Sequence, residues 1–115
     1  MTHNFQLSNP WFELTKSGKK RFEGRRYWEK TSGIKVGDEI VFSSRTNPSL
    51  PVFSRKIIKI HRFHTFEDAL KTLGISEILP GVDTISEGIE IYLKYVSLET
   101  QIREGIILFE FSKKI

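Results

Sequence analysis

Gly18-Lys19-Lys20-Arg21-Phe22-Glu23-Gly24-Arg25 is the stretch on which the reading of this chain turns. It crowds Lys20, Glu23 and Arg25 between and beside two glycines, which is what a small polar pocket for an anionic or planar polar ligand requires. Downstream, Val36-Gly37-Asp38-Glu39-Ile40-Val41-Phe42 reads as a turn feeding a strand. The first block thus supplies a candidate site and the second its scaffold.

Just upstream, Phe5 and Leu7 alternate with polar neighbours as a short opening strand. Ser8 or Asn9 can cap a helix that has Pro10 at its first position and runs to about Ser17. Helical spacing turns Trp11, Leu14 and Thr15 toward the core, and Gly18 is placed to end the helix with a positive φ. A strand over Lys20 to Arg25 puts Glu23 and Arg25 on one face and Lys20 on the other. Lys20 can join them only if the junction around Gly18 to Lys20 is irregular.

Downstream, Tyr27 to Gly33 reads as an aromatic, charged loop, Asp38 to Ser44 as a strand, and Asn47-Pro48-Ser49-Leu50-Pro51 as a rigid connection. Val52 to Phe63 alternates as a long strand, with Ile58, Ile60 and Arg62 opposite Ile57, Lys59 and His61. Thr65 caps a helix carrying Phe66, Leu70 and Leu73 and ended by Gly74, and Ile75 to Gly81 reads as a short turn. Ser86-Glu87-Gly88 opens a further helix with Ile89, Leu93 and Val96 at helical spacing. Gly105 to Phe111 closes the series as an apolar strand. Strands at the start, middle and end with helices between them predict an α+β domain, residues 1–115 as one unit, whose strands curl into a small mixed β-barrel flanked by helices. Closure would remove exposed edges, leaving a cleft between helix and strand with the Gly18 to Arg25 block on its rim.

The chain has 115 residues, 38% of them hydrophobic and 28% charged, which describes a globular domain and excludes a disordered segment. No run approaches a membrane span and Met1 to Ser8 lacks the apolar core of a signal peptide, so the expectation is a cytoplasmic protein without a membrane partner. The absence of cysteine excludes disulfides, thiol catalysis and thiolate zinc sites. His3, His61 and His64 lack the carboxylate spacing of a metal site, and neither metal nor cofactor is expected. The formal charge of +4 is unevenly spread. Lys16, Lys19, Lys20, Arg21, Arg25, Arg26, Lys30 and Lys35 face only Glu23 and Glu29 in one short stretch. Such a patch attracts phosphate-bearing partners and makes their binding salt-dependent; its plain alternative is a solvated basic face.

Within that stretch Arg25 suits bidentate contact with phosphate or carboxylate, or a simple bridge to Glu23. Tyr27 and Trp28 beside Arg25 and Arg26 give the aromatic and basic interleaving on which bases stack, or else pack against the barrel rim. A lysine beside a glutamate can transfer protons if burial and neighbouring arginines lower its pKa, but a contacting carboxylate favours the charged ammonium and a holding role.

These pieces together resemble the ASCH domain, the activating-signal-cointegrator homology family, a relative of the PUA RNA-binding fold. The resemblance rests on Pro10-Trp11, on Gly18, Lys20, Glu23, Gly24 and Arg25, and on Lys35, Gly37 and Asp38. It extends through Phe66-Glu67-Asp68-Ala69-Leu70, Leu79-Pro80-Gly81-Val82 and the strand after Gly105. It implies a PUA-like barrel with an RNA or nucleotide cleft beside the first helix, lined by Lys20, Glu23 and Arg25, with Trp11 on its wall and Arg45 as a further contact. Arg21, Tyr27, Trp28 and Lys35 extend the expected binding surface. Some members resemble small amidohydrolases acting on N4-acetylcytidine, and others are ribonucleases. Lys20 matches the amidohydrolase lysine as a catalytic candidate, whereas Glu23 stands where those enzymes carry a threonine. The expectation is therefore an RNA- or nucleotide-binding module, with DNA as a further partner. A small hydrolase using Lys20 and Glu23, or a protein-interaction adaptor, are the alternatives, and the oligomeric state is open.

Overall fold

A computed structural model of the chain describes residues 1–112. Five strands, β1 (Thr2–Leu7), β2 (Phe22–Arg26), β3 (Glu39–Ser44), β4 (Phe53–Phe63) and β5 (Ile106–Phe111), form one sheet in the order β1-β3-β4-β5-β2. β1 runs parallel to β3, and the other neighbours are antiparallel. The α+β expectation holds, with a half-barrel in place of a closed one: β1 and β2 are both edge strands and do not pair with each other. The candidate site lies at the seam between them.

β4 makes the curvature possible because it serves both halves of the sheet. Its first part pairs with β3 and its second with β5, and the register shifts between Ile57 and Lys59. The extra residue, Ile58, is pushed out to solvent, and the strand bends there. This corrects the simple alternation: Ile57 and Ile60 both pack in the barrel core, where strict period two put them on opposite faces.

The sheet divides the apolar residues into two cores. Alternating side chains of β5 send Ile107, Phe109 and Phe111 into the barrel, and Ile106 and Leu108 toward the helices. The helical layer consists of α3 (Phe66–Leu73), α4 (Ile75–Ile78), α5 (Ile85–Leu93) and α6 (Leu98–Glu104). Thr65, Thr84 and Ser97 each cap a helix through a side-chain oxygen. The short α4 lies where the sequence predicts a turn, and α6 was not foreseen. Tyr27 to Gly33 likewise contains a helix, α2 (Glu29–Ser32), because the Thr31 hydroxyl accepts from the Trp28 N–H and closes a turn that reads as loop.

The first helix, α1, spans Trp11–Lys16. Its buried face is Phe12 and Thr15, whereas Trp11 and Leu14 are half-buried at its border. The helix is rotated from the orientation predicted by its largest residue. Gly18 takes a φ of 86°, as expected for the residue that turns the chain out of the helix.

Candidate functional site

Because Gly18 reverses the chain, Lys20 and Arg21 precede β2 in an irregular backbone, with the Lys20 N–H still bonded to the Leu14 carbonyl at 2.9 Å. Lys20 is thereby freed from strand alternation. Its Nζ donates to the Phe22 carbonyl and lies 3.3 Å from Glu23 Oε1. Arg25 Nε donates to Glu23 Oε2 at 2.6 Å from two residues along the same face. The structure therefore unites the three residues of the opening motif by the irregular junction that their sequence demanded.

Arg25 also crosses the seam. One terminal nitrogen donates to the Gln6 carbonyl of β1 at 3.1 Å, and its guanidinium lies 4.2 Å from the Phe5 ring centroid. A side chain thus bridges the two edges that no backbone ladder joins. Around this bridge opens a cavity of about 590 Å³, of a size suited to a nucleotide or short segment of a larger ligand. Both edge strands line it, together with Trp11, Phe66, Leu79, Tyr92 and Tyr95.

Burial sets the electrostatics. Lys20 is 3% exposed and Glu23 is 6% exposed. Loss of solvation lowers the Lys20 pKa, with the Glu23 charge opposing the shift. Burial pushes the Glu23 carboxyl up, but Arg25 and Lys20 together outweigh it and hold the group below its ordinary value. A carboxylate fixed by two cations with both oxygens engaged has restricted motion.

At the rim, Arg26 lies 4.0 Å and Lys30 4.9 Å from the Trp28 ring centroid. Arg26 is also held by Glu104 at 2.7 and 3.1 Å, which raises the pKa of the arginine and lowers that of the glutamate. Arg45 is exposed at the end of β3 and lines the same opening.

Of the sequence candidates, Lys20, Glu23, Arg25, Trp11, Trp28 and Arg45 meet in this cavity. Arg21, Tyr27 and Lys35 are placed elsewhere. Arg21 turns away toward Glu77 and Glu110 at 3.8 and 3.9 Å. Tyr27 packs against the barrel core and carries Arg62 3.2 Å from its ring centroid. Lys35 belongs to the turn before β3, where its N–H donates to Asp38. Arg21 precedes β2 in irregular backbone while Arg25 lies within the strand, so a basic run in sequence becomes two surfaces in space.

Tyr92 is the principal lining residue that sequence reading missed. Its ring stacks on Phe66 with centroids 3.8 Å apart. It shares the buried face of α5 with Gly88, one turn earlier, so helical spacing marked the position as core. The available signal was chemical: a tyrosine in an apolar helix brings a hydroxyl that needs a destination. No group of His, Asp or Glu with metal-binding geometry occurs among the described residues, and none of the described helices is long and apolar enough to cross a membrane.

A family model described as the ASCH domain matches residues 5–114. Among solved structures, the crystal structure of hypothetical protein PH0355 is similar, with 34% identity, a TM-score of 0.85 and coverage of 97% of this chain and 98% of the other. The solution structure of protein PF0455 from Pyrococcus furiosus is 32% identical, with a TM-score of 0.74 and coverage of 97% and 96%. No curated protein matches the sequence.

Proposed function

Because the chain belongs to the ASCH domain family, which is generally associated with RNA binding, we propose that it binds RNA or a nucleotide in the cavity at the β1–β2 seam. The observation that carries this reading is the division of labour within the cavity. In the inner cluster Lys20 and Arg25 are both engaged by Glu23, while the exposed Arg45 and the half-buried Trp28 with Lys30 are the remaining polar and aromatic groups of the cavity. Mobile cations at a rim suit phosphate, and an indole at the same rim suits a base. Trp11 adds a second indole to the lining of the cavity.

Arg45 is the cation that tests the proposal. Removing Arg25 would also unlock Glu23, whereas Arg45 has no role in the buried cluster. Fluorescence anisotropy with a short single-stranded RNA should show several-fold weaker binding for Arg45→Ala and a salt slope reduced by about one. Arg21→Ala, on the other side of the sheet, should bind as wild type does. Salt-independent binding, or equal loss in the two variants, would overturn the assignment of the cavity.

A second reading, hydrolysis of a modified cytidine or of RNA, draws on the lowered pKa of Lys20, since burial favours the neutral amine that a proton-transfer role requires. Against it stands the engagement of Nζ with Phe22 and Glu23. Chromatography after incubation with N4-acetylcytidine or RNA separates the readings: turnover lost in Lys20→Ala supports the hydrolase, and no product from wild type supports the binding module.

A further inference from the structure

We propose that the Tyr92 hydroxyl and the Gly24 peptide group form a base-reading edge within this cavity, recognising a heterocycle that presents a ring acceptor beside an N–H donor. The inference rests on the binding reading above and adds which atoms select the ligand.

The Gly24 part follows from the ladder. The Phe111 N–H donates to the Arg21 carbonyl and the Tyr27 N–H to the Gly105 carbonyl, so alternate residues from Arg21 to Tyr27 turn their peptide groups toward β5. Phe22, Gly24 and Arg26 turn theirs to the open seam. The Phe22 carbonyl is taken by Lys20 Nζ and the Arg26 carbonyl by the Thr31 hydroxyl. The Gly24 N–H and carbonyl, between them, meet no strand, because β2 has β5 as its sole neighbour in the sheet. Gly24 lines the cavity. A donor and an acceptor are thus presented side by side where a ligand can reach them.

The Tyr92 part is independent. The residue is only 8% exposed, its ring is fixed on Phe66, and its hydroxyl lies 3.0 Å from where a Cβ on Gly24 would stand. No described residue hydrogen-bonds that hydroxyl. Burial, reinforced by the Glu23 charge, keeps the phenol protonated and therefore a donor. Tyr92 lines the cavity and its hydroxyl has no partner among the described residues, so its hydrogen bond is open to a ligand that enters there.

The chemistry distinguishes a base from a phosphate. Both Glu23 oxygens are already engaged by Lys20 and Arg25, so at this edge it is the Gly24 carbonyl that disfavours an anion, while the exposed Arg45 and Lys30 of the same cavity attract one. Every ordinary nucleobase carries an acceptor next to an N–H donor on its pairing edge, so the base enters and the phosphate stays outside. The glycine is required by the same geometry: an added Cβ would come within 2.8 Å of Phe66 and 3.0 Å of the Tyr92 oxygen.

Calorimetric titration with the uncharged ribonucleosides and with ribose 5-phosphate tests this, using wild type and Tyr92→Phe. Wild type should bind at least one nucleoside, and Tyr92→Phe should weaken it about five- to tenfold, the loss of one buried hydrogen bond. Ribose 5-phosphate should bind both proteins equally, and the melting temperature should hold because the ring and its stacking remain. In wild type, the Gly24 amide proton should shift on nucleoside addition in a 15N-edited NMR spectrum. Equal nucleoside affinities for the two proteins, an unmoved Gly24 amide at saturation, or capture of a capped extended peptide in place of nucleosides would overturn the base-reading edge while leaving RNA binding to be judged by Arg45. Wild type that binds neither RNA nor any nucleoside would overturn both.

Discussion

Two ionic clusters leave the same basic block in opposite directions. Lys20, Glu23 and Arg25 close on one another at the seam, with the buried Glu23 gripped at 2.6 and 3.3 Å by the half-buried Arg25 and the buried Lys20. Arg21 departs to the other side of the sheet and reaches Glu77 and Glu110 at 3.8 and 3.9 Å, beyond hydrogen-bond length, while His61 meets Glu110 at 2.8 Å. The difference teaches that burial, not charge density in the sequence, decides which ion pairs govern the molecule. A solvated pair contributes little, whereas a buried one is stabilising only as a complete set.

The strongest way to break that comparison is to remove the shared acid from each cluster. Glu23→Ala leaves Lys20 and Arg25 facing each other without a counter-charge, and the expected loss is about 3–5 kcal/mol in urea unfolding. The lower end is favoured because Lys20 can release its proton, a path its lowered pKa already opens. Glu110→Ala, made in the outer cluster, removes one hydrogen bond to a partly buried His61 and a looser contact to Arg21, and should cost less, about 1–2 kcal/mol. Similar losses in the two variants would mean that the seam cluster is as well hydrated as the outer one.

A second substitution pair sharpens the comparison at the level of packing. Gly24→Ala forces a methyl against Phe66 and Tyr92, so the expected destabilisation is about 1–3 kcal/mol, with the seam pried open. Gly33→Ala meets nothing within 4 Å and keeps an ordinary helical φ of −89°. It should be neutral or stabilising by up to about 1 kcal/mol through the unfolded chain. Thermal melts of the two variants give the answer, and a neutral Gly24→Ala would show that α5 is free to withdraw from β2.

What could be read in advance follows the same division. Local chemistry was legible: Gly18 ends its helix, Thr65 caps the next, and the union of Lys20 with Glu23 and Arg25 was implied by two glycines around three charges. The bulge at Ile58 was not legible, because alternation of β-branched residues continues through it and only the need of β4 to serve two neighbours reveals the shift. Nor was the role of β1, whose Gln6 acts through a backbone carbonyl that any residue would supply. Arg21 and Arg25 look alike in sequence, and their fates diverge because one precedes the strand and the other lies within it. The family match and the likeness to solved structures give the scaffold; the open edges of β1 and β2 arise from long-range pairing, which no local motif encodes.

Asp38 supplies the smallest effect and separates the number of partners from burial. Its carboxylate meets His3 Nε2 at 2.9 Å and accepts the Lys35 N–H at 3.0 Å, which holds its pKa down to about 2 from an ordinary 3.8. With the N-terminal amine at 3.4 Å it has three partners to the two of Glu23, but the group borders solvent. A carboxyl whose pKa is depressed by folding contributes stability above its unfolded pKa and loses it as pH falls through the folded value. Wild type should therefore lose stability between about pH 4 and pH 2, and Asp38→Asn should be less stable at neutral pH yet flatter across that window. Glu23 and Glu104 are depressed in the same direction, so the variant must retain part of the acid slope, and adding Glu23→Gln should reduce that remainder further while leaving the share of Glu104. Urea midpoints measured at unit pH steps resolve these contributions. If Asp38→Asn alone removed the whole slope, the buried cluster would be indifferent to acid and the contrast between the two kinds of ionic cluster would fail at its most solvated point.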